Sequence, residues 1–165
     1  MGAVGKGSYR TTGAPGRRVL VVAAWGGEDR ALRAMVTRLK ELVPCGFEIL
    51  NLDSATAERY RLSSRALFGR IRRYDAAVFA LTARDGASSP ALQLPSEPLP
   101  FSRHFVRRIP AGYLVDGPIA TELEASIDAH AHAWRLLTLG AVSNETESGD
   151  GPESLAAAIN GMIGN

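Results

Sequence analysis

The middle of the chain contains the apolar run Ala76-Ala77-Val78-Phe79-Ala80-Leu81, which continues directly into Thr82-Ala83-Arg84-Asp85-Gly86-Ala87-Ser88-Ser89-Pro90. Six consecutive apolar residues predict a strand that is buried on both faces, as in a parallel sheet. A loop of small residues then leaves the carboxyl end of that strand. Ligands of open α/β sheets bind at such ends, where short side chains let backbone N–H groups approach a planar or anionic group. The stretch therefore predicts a small-molecule site in an α/β domain.

Strands and helices alternate on both sides of this stretch. Short apolar runs predict strands, and apolar side chains at three- and four-residue spacing predict helices. This alternation predicts one doubly wound sheet of about five parallel strands with helices on both faces. The predicted strands are Val19 to Ala24, Phe47 to Leu52, Ala76 to Leu81, Ala111 to Val115 and Leu139 to Val142. The predicted helices are Glu28 to Val43, Glu58 to Arg73 with Leu62 inward, Ala120 to Leu137, and Glu153 to Ile163 with Met162 inward.

Length and composition limit the class of protein. A chain of 165 residues that is 45% hydrophobic and 22% charged is expected to form one globular domain. We expect residues 1–18 to be a disordered tail and residues 19–165 to be the domain. The net charge is +2, and no basic run is interleaved with aromatic residues, which argues against nucleic acid as a partner.

Several further features bear on compartment and metal binding. No run approaches the roughly 20 apolar residues that cross a bilayer, and residues 1–18 lack the apolar region of a secretory signal. Cys45 is the single cysteine, so no internal disulfide can form and a cytoplasmic location is predicted. His130 and His132 lie two residues apart on a predicted helix and point in nearly opposite directions. Since His104 stands alone, no metal site is predicted.

Three segments resemble the flavodoxin-like NAD(P)H-dependent FMN reductases. The segment Arg70 to Phe79 is similar to the family's helix that runs into an aspartate before the third strand. The segment Thr82 to Pro90 is similar to the loop that wraps the isoalloxazine ring, with a threonine, a serine and a proline in register. The segment Ala111 to Val142 is similar to the last third of the family, with its strand, glycine-containing turn, helix and final strand.

The resemblance implies a flavodoxin-like sheet of order 2-1-3-4-5, bound FMN, NAD(P)H as the substrate that reduces it, and a homodimer. The first loop departs from the family pattern Gly-Ser-x-Arg-x-x-Ser, because both serines are absent and Glu28 and Asp29 add negative charge. Backbone N–H groups there could still bind an anion beside Arg30. The cofactor-binding residues that the resemblance implies are Trp25, Gly26, Gly27, Arg30, Thr82, Ala83, Arg84, Asp85, Gly86, Ser88, Asp116 and Gly117.

Two other interpretations stay open from the sequence. Glu122 and Asp116, after the fourth predicted strand, look weakly like the carboxylates of nucleoside deoxyribosyltransferase-like and TIR-like domains, which cleave N-glycosidic bonds. Asp116 or Thr121 could instead cap the following helix. The third interpretation is a cofactor-free binding or accessory domain that kept the sheet. The proline-rich segment Pro90 to Pro110 is expected to form a lid or an interface loop.

Overall fold

The computed structural model describes residues 18–23, 30–44, 46–52, 54–82, 108–143 and 151–163. Its five strands are Arg18–Ala23 (β1), Gly46–Asn51 (β2), Ala76–Thr82 (β3), Ile109–Asp116 (β4) and Leu136–Ser143 (β5). They form one sheet of order β2-β1-β3-β4-β5 in which every neighbouring pair is parallel. The predicted doubly wound parallel sheet and its strand order are confirmed.

Helices cover both faces of the sheet. The longer ones are Arg30–Leu42 (α1), Thr121–Ala133 (α4) and Gly151–Ile163 (α5), and the shorter ones are Glu58–Leu62 (α2) and Ser64–Ile71 (α3). Buried side chains of α1 and α5 pack on one face, and those of α2, α3 and α4 pack on the other. None of the described helices has the length and apolar character needed to cross a bilayer.

The apolar run of β1 is buried because both faces of this central strand are covered. Val19 and Val21 pack against the layer of α1 and α5, whereas Leu20 and Val22 pack against the layer of α2, α3 and α4. All four side chains have no exposed area. For this reason a central parallel strand needs apolar residues at every position, whereas a strand with one solvent-exposed face would alternate apolar and polar residues.

The second predicted helix, residues 58–73, is wrong because the structure has two helices there, α2 and α3. A 3₁₀ turn at Ala55–Ala57 precedes α2, and Ser63 takes an extended conformation that separates α2 from α3. The Ser63 hydroxyl accepts a hydrogen bond from the Ala66 amide at 3.1 Å, so it caps the new helix. Leu62 was predicted to face inward, but it is 70% exposed, and Tyr60 is the side chain of α2 that packs in the core.

Two further boundaries differ from the prediction. The helix α4 ends at Ala133 rather than Leu137, and Arg135 adopts a left-handed φ of 51°, so the chain turns at once into β5 at Leu136. Met162 was predicted to face inward, but it lies at the flank of the buried stripe of α5 and is 41% exposed. Residues 1–17 and the proline-rich segment before Arg108 lie outside the described residues. Ile109 and Pro110, which were predicted to end that loop, instead begin β4.

Candidate functional site

The carboxyl ends of the parallel strands meet at one edge of the sheet, which we call the carboxyl edge. Its residues, in the order of the sheet, are Asn51, Ala23, Thr82, Asp116 and Ser143. The connections from β1 lead to β2 on one side and, later, to β3 on the other. Strand order therefore reverses between β1 and β3, and ligands of doubly wound sheets bind outside the carboxyl ends at this switch point.

Asp116 is the buried carboxylate of the carboxyl edge. It pairs in register with Thr82 of β3, and only 5% of the residue is exposed. The residue after it, Gly117, has φ of 128°, a conformation that only glycine adopts without strain. The Ser143 hydroxyl donates a hydrogen bond of 2.7 Å to the Gly117 carbonyl, which ties the turn after β4 to the end of β5.

Helix α4 has Ala120 at its N-cap position, and this side chain forms no capping hydrogen bond. Thr121 is instead the first residue of the helix, and Glu122 follows it as an exposed residue. Glu122 lies in the first turn, where negative charge suits the helix dipole.

The structure places only part of the sequence-predicted site. Asp116 and Gly117 lie at the carboxyl edge, where the backbone of Thr82 pairs with that of Asp116. Arg30 is the exposed first residue of α1. The following predicted residues lie outside the described residues: Trp25, Gly26, Gly27, Ala83, Arg84, Asp85, Gly86 and Ser88. Among the described residues, no group of three or more His, Cys, Asp or Glu side chains could hold a metal ion.

Sequence reasoning did not identify Arg61, which the structure brings to the carboxyl edge. Its Nη1 donates a hydrogen bond of 3.3 Å to the carbonyl of Leu52, the residue that follows β2. The amide of Leu52 in turn donates to the carbonyl of Ala23 at 2.7 Å, at the end of β1. The available signal was the excess of arginine after β2: residues 54–73 hold six arginines and one acidic residue.

Arg70 of the same segment is bound beside β2 by Tyr60 and Glu48. Arg70 donates to the hydroxyl of Tyr60 at 3.2 Å and to the Glu48 carboxylate at 3.1 Å. The same carboxylate accepts hydrogen bonds from Arg18 and from the hydroxyl of Tyr74. The hydrogen bond from Tyr74 is the main reason that the pKa of Glu48 is lowered, and Arg70 and Arg18 act in the same direction. The Glu48 carboxylate offsets one of the two positive charges of Arg70 and Arg18 beside β2.

Comparisons with known proteins agree with the fold and leave the family open. No family model matches the chain, and no curated protein matches it either. Among solved structures, the chain is similar to general stress protein 14 of Treponema denticola, whose crystal structure is a complex with FMN. The identity is 10%, the TM-score is 0.51, and the match covers 90% of this chain and 98% of that chain. Similarity at this level of identity establishes a shared flavodoxin-like fold.

Proposed function

We propose that this protein binds FMN at the carboxyl edge and acts as a flavodoxin-like oxidoreductase that NAD(P)H reduces. The observation that carries the proposal is the carboxyl edge itself: the strand order reverses between β1 and β3, and the buried Asp116 lies on the next strand. The sequence resemblance to FMN reductases and the FMN bound by a protein of the same fold support the choice of ligand.

The residues of the carboxyl edge fit the ring of FMN better than its phosphate. A carboxylate such as Asp116 accepts a hydrogen bond from an N–H group, and the isoalloxazine ring carries one on its pyrimidine portion. The same carboxylate would repel a phosphate, since like charges about 4 Å apart cost roughly 4 kcal/mol at an effective dielectric of about 20. Asp116 would therefore hold the ring, and the turn at Gly117 leaves room because it carries no side chain.

The chemistry of hydride acceptance belongs to the flavin when it is bound. The protein's own residues bind and orient it. Asp116 fixes the ring through its carboxylate, and the Ser143 bond to the Gly117 carbonyl keeps the turn after β4 in place. No side chain of the described carboxyl edge is required to move a proton in this proposal.

A flavin titration of the purified protein tests the proposal. We expect saturable FMN binding with the yellow absorption of bound flavin, about one FMN per chain. Asp116→Asn should weaken FMN binding about tenfold, because a charge-assisted hydrogen bond is replaced by a neutral one. Asp128→Asn is the matched control, because Asp128 is an exposed carboxylate on α4. A protein that stays colourless in excess FMN would contradict the proposal.

The cleavage of N-glycosidic bonds is the second candidate function. One observation favours it: Asp116 is a buried carboxylate at the carboxyl edge, and Glu122 follows it in the first turn of α4. A colourless protein whose nucleoside cleavage is lost in Glu122→Gln would support this function. A protein with neither activity would support the cofactor-free binding domain. The homodimer and the cytoplasmic location stay predictions.

A further inference from the structure

Arg61 occupies a place from which it can reach a ligand at the carboxyl edge. Its hydrogen bond to the Leu52 carbonyl uses one of the five N–H donors of the guanidinium. Leu52 is joined to the end of β1 through its bond to the Ala23 carbonyl, so the guanidinium lies next to the neighbouring ends of β1 and β2. Since α2 is exposed at this residue, the remaining donors face solvent at the rim of the sheet.

Two hydroxyl groups lie in the same turn as Arg61's acceptor. The side-chain oxygens of Ser54 and Thr56 are 3.2 Å apart, and the Ser54 amide bonds to the Asn51 carbonyl at 3.1 Å, which folds the chain back over the end of β2. Ser54 occupies the position before the 3₁₀ turn, yet its hydroxyl forms no capping bond. One of the two hydroxyls donates to the other, so the pair keeps one free hydroxyl hydrogen in the turn whose Leu52 carbonyl binds Arg61. A hydroxyl donor and a guanidinium are groups that suit phosphate oxygens.

The segment that carries Arg61 is basic as a whole, but Arg61 is the residue whose charge lies at the end of β2. Residues 54–73 contain six of the 19 basic residues and one of the 17 acidic residues. Arg70 is paired with Glu48, and the guanidinium of Arg59 donates to the Tyr60 hydroxyl at 3.0 Å and lies 4.7 Å from the centroid of that ring. Arg61 is the arginine of α2 that is directed to the carboxyl edge.

We propose that Arg61, Ser54 and Thr56 form a phosphate-binding subsite at the end of β2. The inference rests on the proposed function for the identity of the ligand, and two sources supply the same chemistry: the phosphate of FMN and the 2′-phosphate of NADPH. Neighbouring strands are about 4.8 Å apart, so the end of β2 lies about 10 Å from the end of β3. If the ring of FMN lies at the end of β3, its own phosphate reaches the subsite through the extended ribityl chain. In the other case, the phosphate in the subsite belongs to the second substrate, NADPH.

A phosphate titration tests the subsite without any flavin. Inorganic phosphate is added to the protein while the Nε–Hε resonances of arginine are followed by NMR, in the native protein, in Arg61→Gln and in Arg65→Gln. Arg65 is the matched control, because it is an exposed arginine of the same basic segment that lies on α3. We expect a saturable shift in the native protein and in Arg65→Gln, and its loss in Arg61→Gln. An equal response in all three proteins, or none in the native protein, overturns the subsite.

Ligand pairs then distinguish the source of the phosphate. If FMN supplies it, Arg61→Gln weakens FMN binding at least about tenfold and leaves riboflavin binding unchanged. If NADPH supplies it, the variant weakens NADPH binding by a similar factor and leaves NADH and FMN binding unchanged. A variant that binds all four ligands as the native protein does overturns the inference. If the native protein binds no flavin, the proposed function fails while the phosphate titration still decides the subsite.

Discussion

His130 is a buried titratable residue that the proposed site does not use. It is 2% exposed, and its Nδ1 lies 2.8 Å from the hydroxyl of Tyr113, which is fully buried. Aromatic rings surround it, with the Phe79 and Trp134 centroids at 5.1 and 4.7 Å. Burial lowers the pKa of His130 to about 4, because the charged imidazole would lose its hydration without gaining an anionic partner. Burial also raises the pKa of Tyr113.

The lowered pKa predicts that the protein loses stability in mild acid. Between an ordinary histidine pKa of 6.5 and about 4, the unfolded chain binds a proton at this position and the native protein does not. The free energy of unfolding should therefore be fully present above about pH 6.5 and fall as the pH decreases towards 4, by on the order of 3 kcal/mol. Urea unfolding of the native protein and of His130→Asn, measured across this range, checks the slope.

The variant and its control separate His130 from other groups. Asparagine keeps a hydrogen-bond acceptor near the position of Nδ1 for Tyr113 but does not titrate, so its stability should depend less on pH. His132→Asn is the matched control, since His132 is exposed on the same helix. An identical pH slope in the native protein and in His130→Asn would contradict the assignment of the effect to His130.

The close contact between β4 and α5 depends on Gly112, which has no side chain. A Cβ atom placed on Gly112 would lie 2.2 Å from Cδ1 and 3.3 Å from Cγ of Leu155. Leu155 is fully buried in the core between the sheet and α5. The pairing of β4 with β5 also shifts in register between Ala111 and Gly112. Glycine at this position lets α5 approach the sheet closely.

Gly112→Ala is predicted to destabilise the protein by about 1 to 3 kcal/mol, because overpacking forces side-chain and backbone shifts in a filled core. The free energy of unfolding measures this change. Gly69→Ala is the control, since its added Cβ would meet nothing within 4 Å and alanine favours the helix α3. The control should be neutral or slightly stabilising. Equal free energies of unfolding for Gly112→Ala and the native protein would show that Leu155 moves aside at no cost.

The break between α2 and α3 is a feature that the spacing of apolar residues does not predict. Apolar spacing continues through Ser63, so the sequence predicts one helix over residues 58–73. Yet the extended backbone of Ser63 and its bond to the Ala66 amide start a new helix there. Serine at such a place is compatible with both outcomes, because its propensity is weak in a helix interior and strong at a cap. Arg61 of α2, on the amino-terminal side of the break, bonds to the Leu52 carbonyl at the carboxyl edge.

The whole molecule is a sheet whose centre is better protected than its margins. The residues Val19 to Ala23 of β1 have no exposed area, and this strand is paired on both sides. The outer strand β2 is paired on one side within the described residues and exposes Ile49 by 42%. Opening of the margins should therefore cost less free energy than opening of the centre.

Hydrogen exchange checks this order of protection. We expect the amides of β1 and β3 to exchange most slowly, near the rate set by global unfolding, and those of β2 and β5 to exchange faster. The comparison uses mass spectrometry or NMR on the same sample, so that solution conditions are the control. Protection of β2 equal to that of β1 would contradict the assignment of β2 as an outer strand.

The parallel sheet could be predicted from the residues alone, because short apolar runs such as Ala76 to Leu81 that alternate with amphipathic helical patterns favour strands buried on both faces. The sequence also indicated the end of β4, where Asp116 and Gly117 lie at the carboxyl edge. The position of Arg61 at this edge could not be predicted from the residues, since its bond to the Leu52 carbonyl depends on how α2 folds back over β2. Burial follows local periodicity, whereas the meeting of residues distant along the chain depends on turns and on the packing of whole elements.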